Sequence, residues 1–519
     1  MADTPLAAQA AAQGVSGDQD PCLSVPVSQV SGGMAGRVNG RPTTGQLLAV
    51  LDRAGDDDRA LGPGRVRDPG DDAQVHAVQV ASPGQLTPCD AGQARNLRHV
   101  RDHLGAAGFD QLCQPARVVI VVVGDRDAPD LTGRATQGSQ ALQQGAGVRL
   151  FFGHDVVYGY TNDLSDEALG ELVTNLAAFK GAEGRPDASG RGGIDLRTVA
   201  AGPDIHAPEK AFGTRDKLWR LERLREADAA ARIAPEIVQV ETSLIEWDQE
   251  VTVANSDGVL VDDRRVRSRL VAQAIASDGS ETQTGSSGPG LSVGLELFDL
   301  FPPEKVGRRA GEMAMTNLRA KKAPAGTMPV VIGNAFGGVI FHEALGHLLE
   351  TTAVARNASA LTGLLGQEIA SPVVTYVDDG TTPHGWGSSR YDDEGAKTER
   401  TVLIDKGVLK SYMVDRWGSL KTGYRPTGSG RRQDYTYAPT SRMRNTFVIN
   451  GDTPKESLFD GIEYGLYAKV MGGGQVRPGS GEYNFAVREG YMIRDGQIAE
   501  PVRGAMLLGK GPDTIKKIV

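Results

Sequence analysis

From Gly147 onward, apolar residues recur with two distinct periods. Gly147-Val-Arg-Leu-Phe-Phe-Gly predicts a strand, and Val156-Val-Tyr-Gly-Tyr its hairpin partner. Ser165 then reads as a helix N-cap, with Asp166 and Glu167 in the first turn, where carboxylates suit the helix dipole. Leu169, Leu172, Val173, Leu176 and Ala177 follow at helical spacing, and the helix is expected to end near Lys180. A Gly-rich loop over 181–193 leads to a short strand near Ile194. Lys217 to Ala231 predicts a charged amphipathic helix. Two separate alternating runs follow, Ile237 to Ile245 and Glu250 to Ala254. Asn255-Ser-Asp-Gly258 is a turn signal, and Val259-Leu-Val restarts a strand.

Pro302-Pro303 marks a boundary, followed by a predicted helix from Glu304 to about Ala320. Met328 to Ile332 predicts a strand, running into Gly333-Asn-Ala-Phe-Gly-Gly338. Beyond Val373 the chain is rich in Gly and short strand-like runs: Val402 to Ile404, Val408 to Val414, Thr446 to Ile449 and Tyr491 to Ile493. Helices and an antiparallel meander, without strand–helix–strand repetition, place the chain in the α+β class. The division expected is a mixed helix and antiparallel-sheet domain over 145–301, then a β-rich domain over 302–519.

Residues 1–144 stand apart. Up to residue 146 there is no Lys, Glu, Tyr or Trp, although 16 Asp and 12 Arg are present. Ordinary usage would give about eight Lys and about eight Glu there. Apolar periodicity is poor; only Ala94–Leu112 and Pro115–Val123 resemble a helix and a strand. The segment is expected to be poorly ordered, either a biased extension or, the favoured reading, text produced by a wrong start site or a frameshift.

The 519 residues are long enough for about two to four domains. Net charge is −9, so no basic surface advertises nucleic acid. No run approaches the length of a membrane span, and the N-terminus has no basic and apolar signal pattern. Three cysteines exclude a disulfide scaffold. A cytoplasmic protein without membrane or nucleic-acid partners is expected.

The strongest chemical feature is Val339-Ile-Phe-His342-Glu343-Ala-Leu-Gly-His347-Leu-Leu-Glu350. Two imidazoles suit a zinc ion, and a Glu beside the first suits a general base for a metal-bound water. Two of the eight histidines fall here. Histidines four residues apart lie about 40° from each other on a helix, whereas five apart they lie about 140° apart. A regular helix therefore cannot aim His342 and His347 at one point. A π-bulge or local unwinding can, and Gly346 is placed to permit it. The competing reading is an ordinary helix with unrelated polar residues. Glu350 is either a partner of a ligand or an exposed helical carboxylate.

The run HEALGHLLE resembles the H-E-x-x-x-H motif of the TldD/PmbA family of metallopeptidases, in its TldD-like, metal-bearing branch. Further blocks resemble the family in order. They are Tyr158-Gly-Tyr-Thr-Asn-Asp-Leu-Ser165, Asn255-Ser-Asp-Gly258, Val377-Asp378-Asp379-Gly380-Thr381 and Asp392-Asp393-Glu394-Gly395. Pro426-Thr-Gly-Ser-Gly-Arg431-Arg432, Arg442-Met-Arg-Asn-Thr446 and Gly472-Gly-Gly-Gln-Val476 complete the series, which spans roughly 145–519. The resemblance implies a two-domain TldD-like architecture, with His342 and His347 ligating zinc and Glu343 polarising the attacking water. It implies that the Gly-rich and Arg-Arg blocks, with Arg431, Arg432, Gly473 and Gly474, shape a cleft for an extended or unfolded peptide substrate. A homodimer, or a heterodimer with a PmbA-like subunit, is implied as well. Taken alone, Asp392-Asp393-Glu394 is more ordinarily a solvated turn, and Arg431-Arg432 a surface pair.

The sequence departs from the family pattern in two places. The 1–144 segment does not match the start of the family's first domain. The family's third metal ligand is a cysteine in a Gly-rich block near the C-terminus, and no Cys follows Cys113 here. The C-terminal domain is therefore expected to be truncated. His384, Asp378 or Asp379 could complete the ligand set only if the fold brings them near. A non-catalytic peptide-binding or scaffold subunit is the alternative reading.

Overall fold

The structure, a computed structural model, describes residues 50–51, 117–125, 143–178, 196–198 and 207–519. The possible helix over Ala94–Leu112, the 181–193 loop and Cys22, Cys89 and Cys113 lie outside the described residues.

A nine-stranded sheet dominates the first half. Its spine is a hairpin of two 19-residue strands, Ile237–Asn255 and Val259–Ser277. The Asn255–Gly258 turn connects them as expected: Gly258 has φ +86, and Asn255 Oδ1 accepts from Asp257 N at 3.0 Å. The first of these strands is continuous, whereas the sequence pattern breaks at Glu246–Gln249. Pairing runs through that break, with Glu246 opposite Ser268 and Trp247 opposite Arg267. Glu246 interrupts the apolar pattern because it is buried against Arg220, whose Nε lies 2.9 Å from Oε1. Next in the sheet come Arg117–Asp125, Gln144–Phe152 and Asp155–Thr161. Arg117–Asp125 thus sits inside the sheet, between Gln144–Phe152 and Ile237–Asn255.

The helix Asp166–Ala178 closes over this end through Leu169, Leu172 and Leu176, with Ser165 Oγ accepting from Ala168 N. Lys217–Ala231 and Pro303–Arg319 pack together on the long hairpin and form its core. Glycines set that approach: a Cβ on Gly307 would stand 1.9 Å from the Ala227 carbonyl oxygen, and one on Gly311 2.3 Å from that of Ala231.

The second half holds a six-stranded sheet and a four-stranded sheet. The six-stranded sheet is built on Tyr464–Arg477 and Glu482–Arg494, with Val330–Ala335 parallel to the former. This hairpin was only partly visible in the sequence, because register shifts between Ala468 and Gly474 disturb the alternation. The four-stranded sheet pairs Tyr376–Asp379 with Arg400–Asp405 and Thr446–Val448. A short ladder, Gly430–Arg431 with Thr440–Ser441, lies between these elements in sequence. Antiparallel pairing prevails, with helices on the sheet faces, so the α+β reading is correct. No described helix is long and apolar enough to cross a membrane.

Candidate metal centre

The Val330–Ala335 strand delivers the chain into a tight turn at Phe336, which takes φ +58. A helix then runs only from Val339 to Ala344. It stops at Leu345 (φ −128, ψ −54), and Gly346–Leu349 continues as a 3-10 turn. This is local unwinding, as the five-residue spacing requires. The His342 and His347 rings consequently meet edge to face, with centroids 4.7 Å apart. The role of Gly346 is spatial. A Cβ there would lie 2.1 Å from Met443 Sδ and 3.2 Å from the Tyr376 hydroxyl.

One ligand atom from each of His342, Glu343 and His347 fits within a 4.8 Å span. Glu343 Oε2 lies 3.8 Å from His347 Nε2. The other nitrogen, His347 Nδ1, lies 3.1 Å from Glu350 Oε2, and Arg442 Nη1 lies 3.5 Å from the same oxygen. Glu350 is buried, so it is a partner of His347 and not an exposed helical carboxylate.

The electrostatics treat the two imidazoles differently. Burial holds His342 well below its ordinary pKa, with His347, Arg431 and Arg442 acting in the same direction. It is neutral at physiological pH, with a lone pair to donate. Burial also acts downward on His347, but Glu350 and Glu343 outweigh it and the net shift is upward. Burial raises the Glu343 carboxyl, tempered by His347. Two imidazole nitrogens suit zinc, which ordinarily takes three protein ligands at a catalytic site, and the Glu343 carboxylate beside them suits a base for a metal-bound water.

Asp378, Asp379 and His384 do not join this group. Asp378 accepts from the Arg444 backbone at 2.7 Å, Asp379 from Thr381, and His384 Nδ1 faces the Ser292 carbonyl at 3.4 Å. The two arginines of the Arg-Arg pair part company. Arg431 acts on His342 electrostatically. The Arg432 side chain turns to Asp393, with Nε 3.7 Å from Oδ1 and only 3% exposed. Neither is an ordinary surface arginine. Gly473 leaves open space where a Cβ would stand, whereas Gly474 admits none because Phe485 and the Asn484 carbonyl lie against it.

Asp392, Asp393 and Glu394 are buried, so they are no solvated turn. Asp393 and Glu394 bind the two halves together, while Asp392 accepts from the backbone of Glu394, Ala396 and Gly430. Asp393 Oδ1 accepts from Arg265 at 2.7 Å, and Glu394 Oε1 from Arg149 at 2.5 Å. A cavity of about 340 Å3 lined by Lys210, Trp219, Arg223, Phe298 and Pro303 shares no residue with the His/Glu group. Arg442, which faces Glu350, stood out in the sequence only as part of the Arg442–Thr446 block, with no role of its own.

Three sequence models of one family match consecutive stretches. The PmbA/TldA metallopeptidase domain 1 matches residues 132–178, the central domain 209–318 and the C-terminal domain 325–519. A Haemophilus influenzae protein named a metalloprotease TldD homolog is 34% identical over 400 residues, covering 74% of this chain and 80% of that one. A Saccharolobus solfataricus protein named a zinc metalloprotease TldD homolog is 32% identical over 252 residues, covering 48% and 56%. Among solved structures, TldE from Thermococcus kodakarensis superposes with a TM-score of 0.63 at 18% identity, over 82% of this chain and 93% of that one. The ordered match of all three domains, together with relatives alike over most of the chain, has one meaning: this chain belongs to the PmbA/TldD family of metallopeptidases.

Proposed function

We propose that the chain is a zinc-dependent peptidase of the TldD type that hydrolyses extended or unfolded peptides in the cytoplasm. The observation that carries this reading is the convergence of His342 and His347 at an unwound turn, with Glu343 beside His347 Nε2. His342 and His347 would hold the zinc ion through ring nitrogens. When bound, zinc supplies Lewis acidity, polarising a water molecule and the scissile carbonyl. Glu343 accepts the proton of the attacking water and returns it to the leaving amine. Glu350 fixes the His347 ring by holding Nδ1, so that Nε2 faces the centre. Arg431, Arg432, Gly473 and Gly474 belong to the proposed substrate cleft, Arg432 through its support of Asp393. The domain division at 145–301 and 302–519 goes with this reading. So does pairing with a PmbA- or TldE-like subunit or a second copy.

Glu343→Gln is the test. It should lower cleavage of an unfolded protein substrate by at least about a hundredfold while leaving zinc content near one per chain. Unchanged cleavage would sink the reading. A non-catalytic peptide-binding subunit is the second reading. The described group supplies two nitrogen donors, one fewer ligand than a catalytic zinc ordinarily takes. Peptide binding without cleavage by the zinc-loaded parent chain would select it.

A further inference from the structure

The Glu350 carboxylate belongs to a residue only 4% exposed, and its two oxygens are served unequally. Oε2 lies 3.1 Å from His347 Nδ1 and 3.5 Å from Arg442 Nη1, whereas Oε1 is buried without a hydrogen-bond partner among the described residues. A carboxylate withdrawn from water needs a compensating charge. An imidazole that gives one nitrogen to a metal is neutral and offers Glu350 only its remaining N–H. Arg442 stands within ion-pair distance to supply the charge.

The backbone fixes Arg442 in that place. Gly430–Arg431 and Thr440–Ser441 pair as a two-stranded ladder, and Arg442 follows directly, its N–H donating to the Ser429 carbonyl at 3.0 Å. The base of this hairpin grips the chain just beyond Glu350. Thr351 N donates to Ser441 Oγ at 3.2 Å, Thr352 Oγ1 donates to the Ser441 carbonyl at 3.1 Å, and Ser441 Oγ donates to the Met413 carbonyl at 2.5 Å. The loop at the other end is tied to the first half, where the Tyr158 hydroxyl donates to the Tyr435 carbonyl at 2.6 Å. Arg442 therefore meets Glu350 from a fixed base, although its own side chain is 41% exposed.

We propose that Arg442 is a positioning residue of the metal centre: it holds the Glu350 carboxylate against His347 Nδ1 and, through Glu350, keeps His347 Nε2 turned to the metal. Two effects of its charge oppose each other. The guanidinium repels a cation at the histidines, as its downward action on both imidazoles shows. It also anchors a carboxylate that would otherwise turn toward water and release the ring. The anchoring acts over 3.5 Å on a buried oxygen, while the repulsion passes through the solvent that reaches Arg442 and is screened there. Anchoring prevails, so loss of the guanidinium weakens metal binding. This inference rests on the reading of His342 and His347 as zinc ligands.

Zinc affinity of the full chain, measured by competition with a chromogenic chelator, tests it. Arg442→Gln should lower the affinity about tenfold, the low end for a partner of a metal ligand, because the arginine is partly exposed. Arg442→Ala should do the same and serves if the first variant fails to fold. Arg442→Lys keeps the charge at a single-point contact and should stay within about threefold of the parent. In a chain already carrying Glu350→Gln, Arg442→Gln should change the affinity by less than about twofold, since the group through which it acts has lost its charge. A merely structural role would lower melting temperature and zinc affinity together and would persist in the Glu350→Gln background. Unchanged or raised affinity on loss of the guanidinium, a loss that lysine does not restore, or an equal loss in the Glu350→Gln background overturns the proposal. A parent chain that binds no zinc overturns both the metal reading and this proposal. Zinc binding with the expected Arg442 dependence but without peptide cleavage removes the peptidase reading alone.

Discussion

His347 Nδ1 lies 3.1 Å from Glu350 Oε2, three residues further along the chain and across the end of a 3-10 turn. That contact decides which imidazole nitrogen faces Glu343. Glu350→Gln keeps the size of the side chain but removes the charge that holds the ring. Zinc affinity should fall by about 10- to 100-fold, measured by competition with a chromogenic chelator. Unchanged affinity would show that His347 is oriented by packing alone.

Gly346→Ala places a methyl group 2.1 Å from Met443 Sδ, and Met443 is buried. The side chain cannot withdraw into an occupied core, so the turn must shift. Loss of about 1–3 kcal/mol is expected, with zinc retention falling at the same time. Gly346→Ala combined with Met443→Ala should recover zinc retention more than stability, since the second change opens space but removes core volume. Equilibrium denaturation and metal analysis of the three variants test both effects.

Arg149 and Glu394 join the two halves as a buried ion pair, with side chains 6% and 4% exposed. Arg149→Ala strands a buried carboxylate and should cost about 3–5 kcal/mol. Arg149→Met with Glu394→Leu should cost much less, because neither charge remains to be desolvated. Chemical denaturation of the single and double variants distinguishes an uncompensated charge from a simple loss of packing.

Asp378 is raised to about 7, chiefly by burial, with Arg444 opposing. Its folded pKa lies above the unfolded value of 3.8, so the folded state keeps a proton that the unfolded state gives up. This contribution is fully present below the unfolded value and is lost as pH rises through about 7. Asp378→Asn has no such titration. The variant should gain on the parent by about 1 kcal/mol or more between pH 5 and pH 8, a few degrees in melting temperature. A constant difference across that range would rule out the buried titration.

Local patterns in the sequence were sufficient wherever an element buries one regular face. The Lys217–Ala231 helix has the bounds that periodicity predicts, and Pro303–Arg319 begins one residue early, at the second proline of its pair. The pattern misled where a polar residue is buried in a pair. Glu246 looks like a break between strands because its partner Arg220 lies 26 residues away. Asp393 and Glu394 look solvated because Arg265 and Arg149 come from the other half, 128 and 245 residues away in sequence.

By itself, the sequence determined the order of elements, the α+β class, the family, and the presence of two histidines and a glutamate too irregularly spaced for a regular helix. Those properties are written in neighbouring residues, where side-chain period and turn chemistry act over a few positions. The tertiary structure decided how the helix breaks at Leu345, that Gly346 is required by Met443, and that Glu350 turns inward to His347. It also left Arg267 Nε buried without a hydrogen-bond partner among the described residues, while Arg265 took Asp393. Such facts depend on the distance between charges and on which of them are withdrawn from water, and only the packed chain fixes either.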